Sequence, residues 1–423
     1  MRLNPLYLFF VLALVLSAMA LDGNSSASEV DAPLILGEEE AVKLALTRSR
    51  PLAARTRRAE IALHQAESAG RVENPELRLT DLSTYYFTDK FDELAVGLRW
   101  DTPRLGELAE DREKARLDHA EEQARAASFG VGLAARVRRA YARAAIGTEL
   151  LRLAEERLDA ETKRATVVQK LVEIGAKPVL RLAEAKFDLT DAKADHAEIR
   201  REASEAKAEL SRLVGQSASP REGDYASPRL DRSPEDLARL ATEKRPELAV
   251  VRQEAKWRDA YDFAERMKLV PWFSFVEAQY HVDTGRTDYG ELQLAFELPL
   301  FDWNQGNVRA GRLGREGAGL AIEAQRDEIG EEVGEALGRY REASARFDEA
   351  AEVTAAYVAE VDALRRQAEQ HGAADAEALV EMELKRILAM RRLAEWRLEA
   401  ALAFADLCEA VGVVEVAELA EKR

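Results

Sequence analysis

Cysteine is nearly absent: Cys408 is the only one among 423 residues. That excludes an intramolecular disulfide framework and any cysteine-held metal cluster. Positive charge is short as well. Lys plus Arg number 61 against 78 for Asp plus Glu, a formal net charge of −17. Such a chain lacks the basic footprint that nucleic acid requires. Beyond the first twenty residues no apolar run reaches the roughly 18 residues of a membrane-spanning helix. A chain of this kind can cross a membrane only with strands. There is no Walker loop, dinucleotide fingerprint, His-Glu-x-x-His pair or nucleophile elbow. The five histidines, at 64, 119, 196, 281 and 371, show no metal-ligand spacing. The reading is therefore no enzymatic activity, no cofactor and no metal site. Cys408 lies among Leu402, Phe404, Leu407 and Val411 and reads as a buried apolar thiol.

Proline is scarce, and its gaps are informative. None occurs in residues 104–177 or 300–423. Those stretches are rich in Ala, Glu, Arg and Leu, the strongest helix formers. A 70-residue helix would be ~105 Å long, too long for one compact domain. Such lengths imply a coiled-coil or tubular assembly. Ile199, Ala203, Ala206, Leu210 and Leu213 follow a heptad spacing with small residues at alternate positions, and Trp396, Ala400, Ala403, Leu407 and Ala410 repeat it.

Landmarks recur at an offset of 195–197: Pro51 with Pro246 (246 − 51 = 195), Pro103 with Pro299 (299 − 103 = 196), Gly175 with Gly372 (372 − 175 = 197). The domain plan read from them is a signal peptide over 1–20 and an N-terminal extension over 21–34. A first repeat over 35–215 holds two strands within 76–101, and 216–233 is a linker. A second repeat over 234–412 holds two strands within 271–299, and 413–423 is a tail. The leader rests on Arg2, the apolar run Leu6 to Leu16, and small residues ending at Ala20.

Aromatic residues cluster where the helix pattern stops. Residues 76–101 and 270–303 hold 13 of the 25 aromatics that remain after residue 20. Leu94, Val96, Leu98 and Trp100 alternate with Ala95, Gly97 and Arg99. Leu292, Leu294, Phe296 and Leu298 alternate with polar or small residues, as do Trp272, Val276, Ala278, Tyr280 and Val282. Segments of ~10 alternating residues with aromatic ends match transmembrane barrel strands. The lipid-facing set is Leu94, Val96, Leu98, Trp100, Trp272, Val276, Tyr280, Leu292, Leu294 and Phe296. Four strands cannot close a barrel, since closure takes about eight or more. Open edges in lipid leave backbone groups unpaired at several kcal/mol each. Protomers must then share one barrel, two giving eight strands and three giving twelve. A periplasmic coiled-coil or adaptor protein with soluble hairpins is the competing reading.

Three runs carry a family likeness: Leu36-Gly37-Glu38-Glu39-Glu40-Ala41-Val42 in an opening helix, Asn74-Pro75-Glu76-Leu77 at the first strand, and Leu298-Pro299-Leu300-Phe301-Asp302-Trp303-Asn304-Gln305-Gly306-Asn307 after the last. With them the chain resembles the TolC-like outer-membrane efflux proteins over its whole length beyond the leader. The resemblance implies a mainly α fold with a small β part. Long antiparallel α-helices would form a trimeric periplasmic tunnel, and four strands per protomer would enter a shared twelve-strand transmembrane β-barrel. It implies an outer-membrane protein extending into the periplasm. Its expected partners are two further copies (a homotrimer), outer-membrane lipid, a periplasmic adaptor and an inner-membrane transporter. The expected function is the passive exit duct of a tripartite pump for small molecules or metal ions. Polypeptide export is the alternative within the fold, and Asn304 to Asn307 resembles the heavy-metal subgroup.

The resemblance also implies sites. The helix turns Ile174-Gly175-Ala176 and His371-Gly372-Ala373 would be adaptor-docking tips. Nine positions beyond each tip glycine stand Glu184 and Glu381, the expected pore-lining acids. Arg181 and Ala378 stand where the family can carry an aspartate, a departure from its pattern.

Overall fold

The computed structural model describes residues 33–84, 91–221, 223, 225, 230, 232–283, 287–371 and 376–420. The expected leader, most of the N-terminal extension, the strand loops at 88–90 and 284–286, and the tip residues Gly372 and Ala373 lie outside them.

The fold is mainly helical, with one sheet set apart at an end. In chain order the elements are β1 (Leu34–Leu36), α1 (Glu38–Arg48), α2 (Arg50–Ser68), β2 (Glu76–Thr84), β3 (Phe91–Asp101), α3 (Glu107–Glu173) and α4 (Val179–Val214). There follow β4 (Ala218–Pro220), α5 (Pro234–Lys244), α6 (Pro246–Met267), β5 (Trp272–Asp283), β6 (Tyr289–Glu297), α7 (Gln305–His371), α8 (Ala376–Val411) and α9 (Ala417–Ala420). The two halves match in kind and length. Helices α3 and α7 both have 67 residues, and α4 and α8 both have 36. A 67-residue helix is ~100 Å long.

Local chemistry sets the breaks. The Ser49 hydroxyl accepts from Leu52 N at 3.2 Å and starts α2, with Pro51 in its first turn. Ser233 does the same for α5, accepting from Asp236 N at 3.1 Å ahead of Pro234. Both are N-caps with proline where a helix tolerates it. Gly106 precedes α3 at φ 92°, and a β-carbon there would stand 2.9 Å from Ala264 Cα. Only glycine satisfies both demands.

Along most of its length the wall is four helices wide. Helix α3 packs on α2 and α6 toward the sheet and on α4 and α8 toward the far end, while α7 packs on α6 and then α8. The apolar core is concentrated in a belt around the middle of α3 and α7. One cluster joins Leu36, Val42, Leu133, Val137, Tyr141, Leu210 and Val214. Its counterpart joins Leu237, Leu248, Ile329, Val333, Phe404, Leu407 and Val411. Cys408 is fully buried in the second cluster, and burial pushes its thiol up to about 12.

Two segments carry more structure than their composition suggests. Within 216–233, β4 pairs parallel with β1, placing Leu34 opposite Ala218 and Leu36 opposite Pro220. Three residues ending in proline show no strand alternation, so the sequence hides this pairing. Within 413–423, α9 forms, and Val413 and Leu419 enter the core.

Candidate functional site

The four-stranded sheet runs β2-β3-β5-β6, antiparallel throughout. Residues directly opposite in such a ladder share a face. Leu79 faces Val96, which faces Tyr280; Leu77 faces Leu98, which faces Ala278 and then Leu292. Leu94 lies opposite Val282, and Trp100 opposite Val276 and then Leu294. One face is therefore apolar across all four strands. Most of it is open to the surroundings: Leu77, Leu79, Val96, Leu98, Trp100, Tyr280, Leu292, Leu294 and Phe296 are exposed.

Trp272 needs correction. The register shifts between Phe273 and Phe275, so Phe273 pairs with Phe296 and Trp272 with Glu297. The bulge turns Phe273 onto the apolar row and Trp272 off it. The Trp272 indole N–H donates to Pro103 O at 3.0 Å. A bulge reverses alternation locally, and nothing in the spacing announces it.

The other face is polar. Arg78 Nη1 lies 3.0 Å from Glu277 Oε2, and the Glu277 residue is 1% exposed. Gln279 donates to Glu277 at 2.5 Å. The Arg99 guanidinium stands 3.9 Å over the Phe275 ring. His281 stacks on Tyr289 at 4.5 Å and lies 3.3 Å from Glu291. A sheet apolar on one face and hydrogen-bonded on the other suits lipid outside and water inside. Strands β2 and β6 have no further strand beside them among the described residues.

The joint between sheet and helices is built by the Leu298 to Asn307 run. Asn304 has φ 47°, the one described non-glycine residue at positive φ. Its amide side chain donates to Glu265 O at 3.0 Å and to Glu265 Oε2 at 2.5 Å, and its carbonyl accepts from Val308 N to start α7. Glu265 is buried and also holds Lys268 at 2.6 Å. Beside this fixed corner, Leu300, Phe301 and Trp303 are exposed, Phe301 by 98%.

At the opposite end lies the described tip. Gly175 has φ 76°, and Ala176 N donates to Leu171 O at 2.8 Å while Gly175 N donates to Val172 O at 3.0 Å. This is the glycine-terminated helix end, and it leaves Ile174 exposed. His371 is the last residue of α7. Glu184 lies exposed on α4 and pairs with Arg181 at 3.1 Å. Glu381 is half-buried on α8. No bond joins the two acids within one protomer. A linkage that sequence reasoning missed is Lys177 Nζ to Glu377 Oε2 at 2.5 Å. It ties the first tip to the first turn of α8, with Glu377 buried. Positions 200 apart carry no local sign of this contact.

Between tip and belt the helices are laced by charge. Arg157 bridges Asp191 at 2.7 Å and Asp195 at 2.8 Å, and Arg391 reaches the same Asp195 at 2.5 Å. Arg386 holds Glu383 at 2.6 Å. That hydrogen bond keeps the Glu383 carboxyl below its usual range. No described helix is long and apolar enough to cross a membrane.

Residues 41–216 match the outer membrane efflux protein family. No curated protein matches the chain by sequence. The fold is similar to that of solved channels. CusC, studied for the conformational changes that accompany folding and transmembrane channel formation, shares 17% identity at a TM-score of 0.71, over 92% of this chain and 96% of its own. The open MtrE outer membrane channel of Neisseria gonorrhoeae shares 19% at 0.70, over 93% and 94%. The outer membrane protein VceC of Vibrio cholerae shares 17% at 0.68, over 89% and 97%. At these identities the likeness is one of fold, a two-faced sheet on a long helical wall. The matched stretch, residues 41–216, is thus similar to the outer membrane efflux protein family.

Proposed function

We propose that three copies of this chain close a twelve-strand barrel and act as the exit duct of a tripartite pump. The observation that carries this is the sheet: apolar on one face, polar on the other, with two edges unpaired among the described residues. Both edges belong to an alternating antiparallel order, so β6 of one copy can pair antiparallel with β2 of the next. Closure removes every unpaired N–H and C=O from lipid. The lipid-facing row is then Leu77, Leu79, Leu94, Val96, Leu98, Trp100, Val276, Tyr280, Leu292, Leu294 and Phe296. Helix α7 supports the same assembly. Gly330, Gly334 and Gly338 recur every four residues, and a β-carbon there would meet nothing within 4 Å. Glycine inside a helix costs about 1 kcal/mol relative to alanine, a cost that close approach of a second copy would offset.

The tips Ile174 to Ala176 and His371 to Ala373 dock a periplasmic adaptor, and an inner-membrane transporter supplies the energy. The duct conducts passively and opens by realignment of the helices at that end. Glu184 and Glu381, repeated threefold, give the lumen a negative field that favours cations. Small molecules or metal ions are the proposed cargo.

Planar-bilayer recording tests this. The purified protein should form cation-preferring channels, with the preference reduced in Glu381→Gln and further in Glu184→Gln/Glu381→Gln. A protein that never conducts, or conducts with unchanged selectivity in both variants, contradicts the reading.

A further inference from the structure

Beside the sheet the wall runs α2, α3, α6, α7, so α2 and α7 are its two edges there. Each edge helix buries one face and leaves the opposite face bare. Helix α2 buries Ala59 and Ala62 against the wall. Arg50, Ala54, Arg57, Ile61, His64 and Ser68 line its outer face, all exposed, at spacings of 4, 3, 4, 3 and 4. Helix α7 turns Gly311 toward α6, where a β-carbon would stand 3.1 Å from Asp262 Cα. Leu313, Glu316, Leu320, Glu323 and Asp327 line its outer face, also exposed, at spacings of 3, 4, 3 and 4. Alternating threes and fours are the spacing of a coiled-coil seam.

The two seams are complementary. The α2 seam carries Arg50, Arg57 and His64 and no acid, and the α7 seam carries Glu316, Glu323 and Asp327 and no base. Arg50, Glu323 and Asp327 have no ion pair among the described residues. Arg57, His64 and Glu316 have partners one turn along their own helices: Glu60 at 2.5 Å, Glu67 at 3.0 Å and Arg312 at 3.9 Å. The levels agree as well. Leu52 meets α3 at Gly130, where a β-carbon would stand 3.9 Å from Leu52 Cδ1. Helices α3 and α7 have equal length and begin at Glu107 and Gln305, so residues 198 apart (305 − 107) stand level. Leu52 is then level with residue 328 (130 + 198) of α7. Helix α2 runs against α3 and so against α7, and level positions sum to 380 (52 + 328). Arg57 is level with Glu323 (380 − 57) and His64 with Glu316 (380 − 64). Arg50 falls at residue 330 (380 − 50), one turn from Asp327. Ile61, 57% exposed, falls beside Leu320, 68% exposed.

We propose that α2 of one copy packs antiparallel against α7 of the next along these seams, with Arg57 on Glu323, Arg50 on Asp327, His64 beside Glu316 and Ile61 against Leu320. This rests on the shared barrel of the proposed function, and the path of the chain supports it. Helix α2 leads into β2, and β6 leads into α7. Pairing β6 with the next copy's β2 therefore brings α7 beside that copy's α2, and rotation about one axis keeps their levels. The seam also selects its partner, since a basic edge repels a second basic edge.

Oxidative crosslinking of the detergent-extracted full protein tests the seam. Ile61→Cys/Leu320→Cys should join separate chains, since the two positions lie on opposite edges of one copy and the native Cys408 is buried. Ile61→Cys/Leu364→Cys, displaced by 44 residues (364 − 320) along α7, should not. In the first background, Arg57→Glu and Glu323→Arg should each slow the crosslink about two- to fivefold, the range of one exposed ion pair. Arg57→Glu/Glu323→Arg together should restore it, and high salt should shrink both single effects. A three-chain particle in which positions 61 and 320 do not crosslink, equal rates for the two cysteine pairs, or single reversals without effect would overturn the seam and leave the duct standing. A particle of one chain would overturn both.

Discussion

At the residue scale, two side chains carry more than their exposure suggests. Asn304 holds a positive φ, opens α7 with its backbone carbonyl and donates twice to Glu265. Losing a hydrogen bond to a buried carboxylate costs about 1.5 kcal/mol, and a non-glycine side chain at positive φ adds strain. Asn304→Ala should therefore lower the thermal midpoint more than Asn304→Gly, which keeps the backbone relaxed. Calorimetry giving the reverse order would remove Asn304 from the joint. Glu383 supplies a pH test. Arg386 depresses its folded pKa below 4.5, so its contribution is full above about pH 4.5 and is lost as pH falls through the lower folded value. Glu383→Gln should cost on the order of 0.5–1 kcal/mol at pH 7 and progressively less as the pH falls below about 4.5. A cost that does not fall with pH would show that charge is not what Glu383 contributes. Residues that end elements were legible in the sequence. Gly175 and the prolines act locally, and each announces its turn. Glu377 was not legible, because its partner Lys177 comes from the other half of the chain.

At the element scale, the long helices and three of the four strands followed from composition and alternation. The β4 pairing, the α9 turn and the bulge at Phe273 did not. Each depends on a neighbour brought in by the fold, and a two- or three-residue signal cannot show it. The link between tip and α8 gives this scale its prediction. A buried charged hydrogen bond is worth about 1.5 kcal/mol, roughly tenfold in an equilibrium. If Lys177 and Glu377 hold the tips together, Lys177→Ala and Glu377→Gln should each raise the ratio of open to closed channel roughly tenfold in single-channel records. The double variant should add little to either. Independent, additive effects would mean that the two residues do not act on each other.

At the scale of the whole molecule, the matched lengths of α3 with α7 and of α4 with α8 echo the landmark offset in the sequence. The same plan twice puts one hairpin from each half side by side, which makes a four-stranded sheet with two free edges. Among the described residues, nothing in a single copy pairs with those edges or covers most of the apolar face. What the sequence could not choose was the number of copies. Alternation marks which residues share the apolar face, the bulge at Phe273 apart, but the count of strands in a closed barrel depends on curvature between copies.

The protein mass of the native, detergent-extracted particle, by light scattering with the detergent subtracted, tests the shared barrel most directly. The account predicts a mass of three chains, obtained only when detergent is present. A monomer or dimer that leaves the envelope without detergent would contradict it.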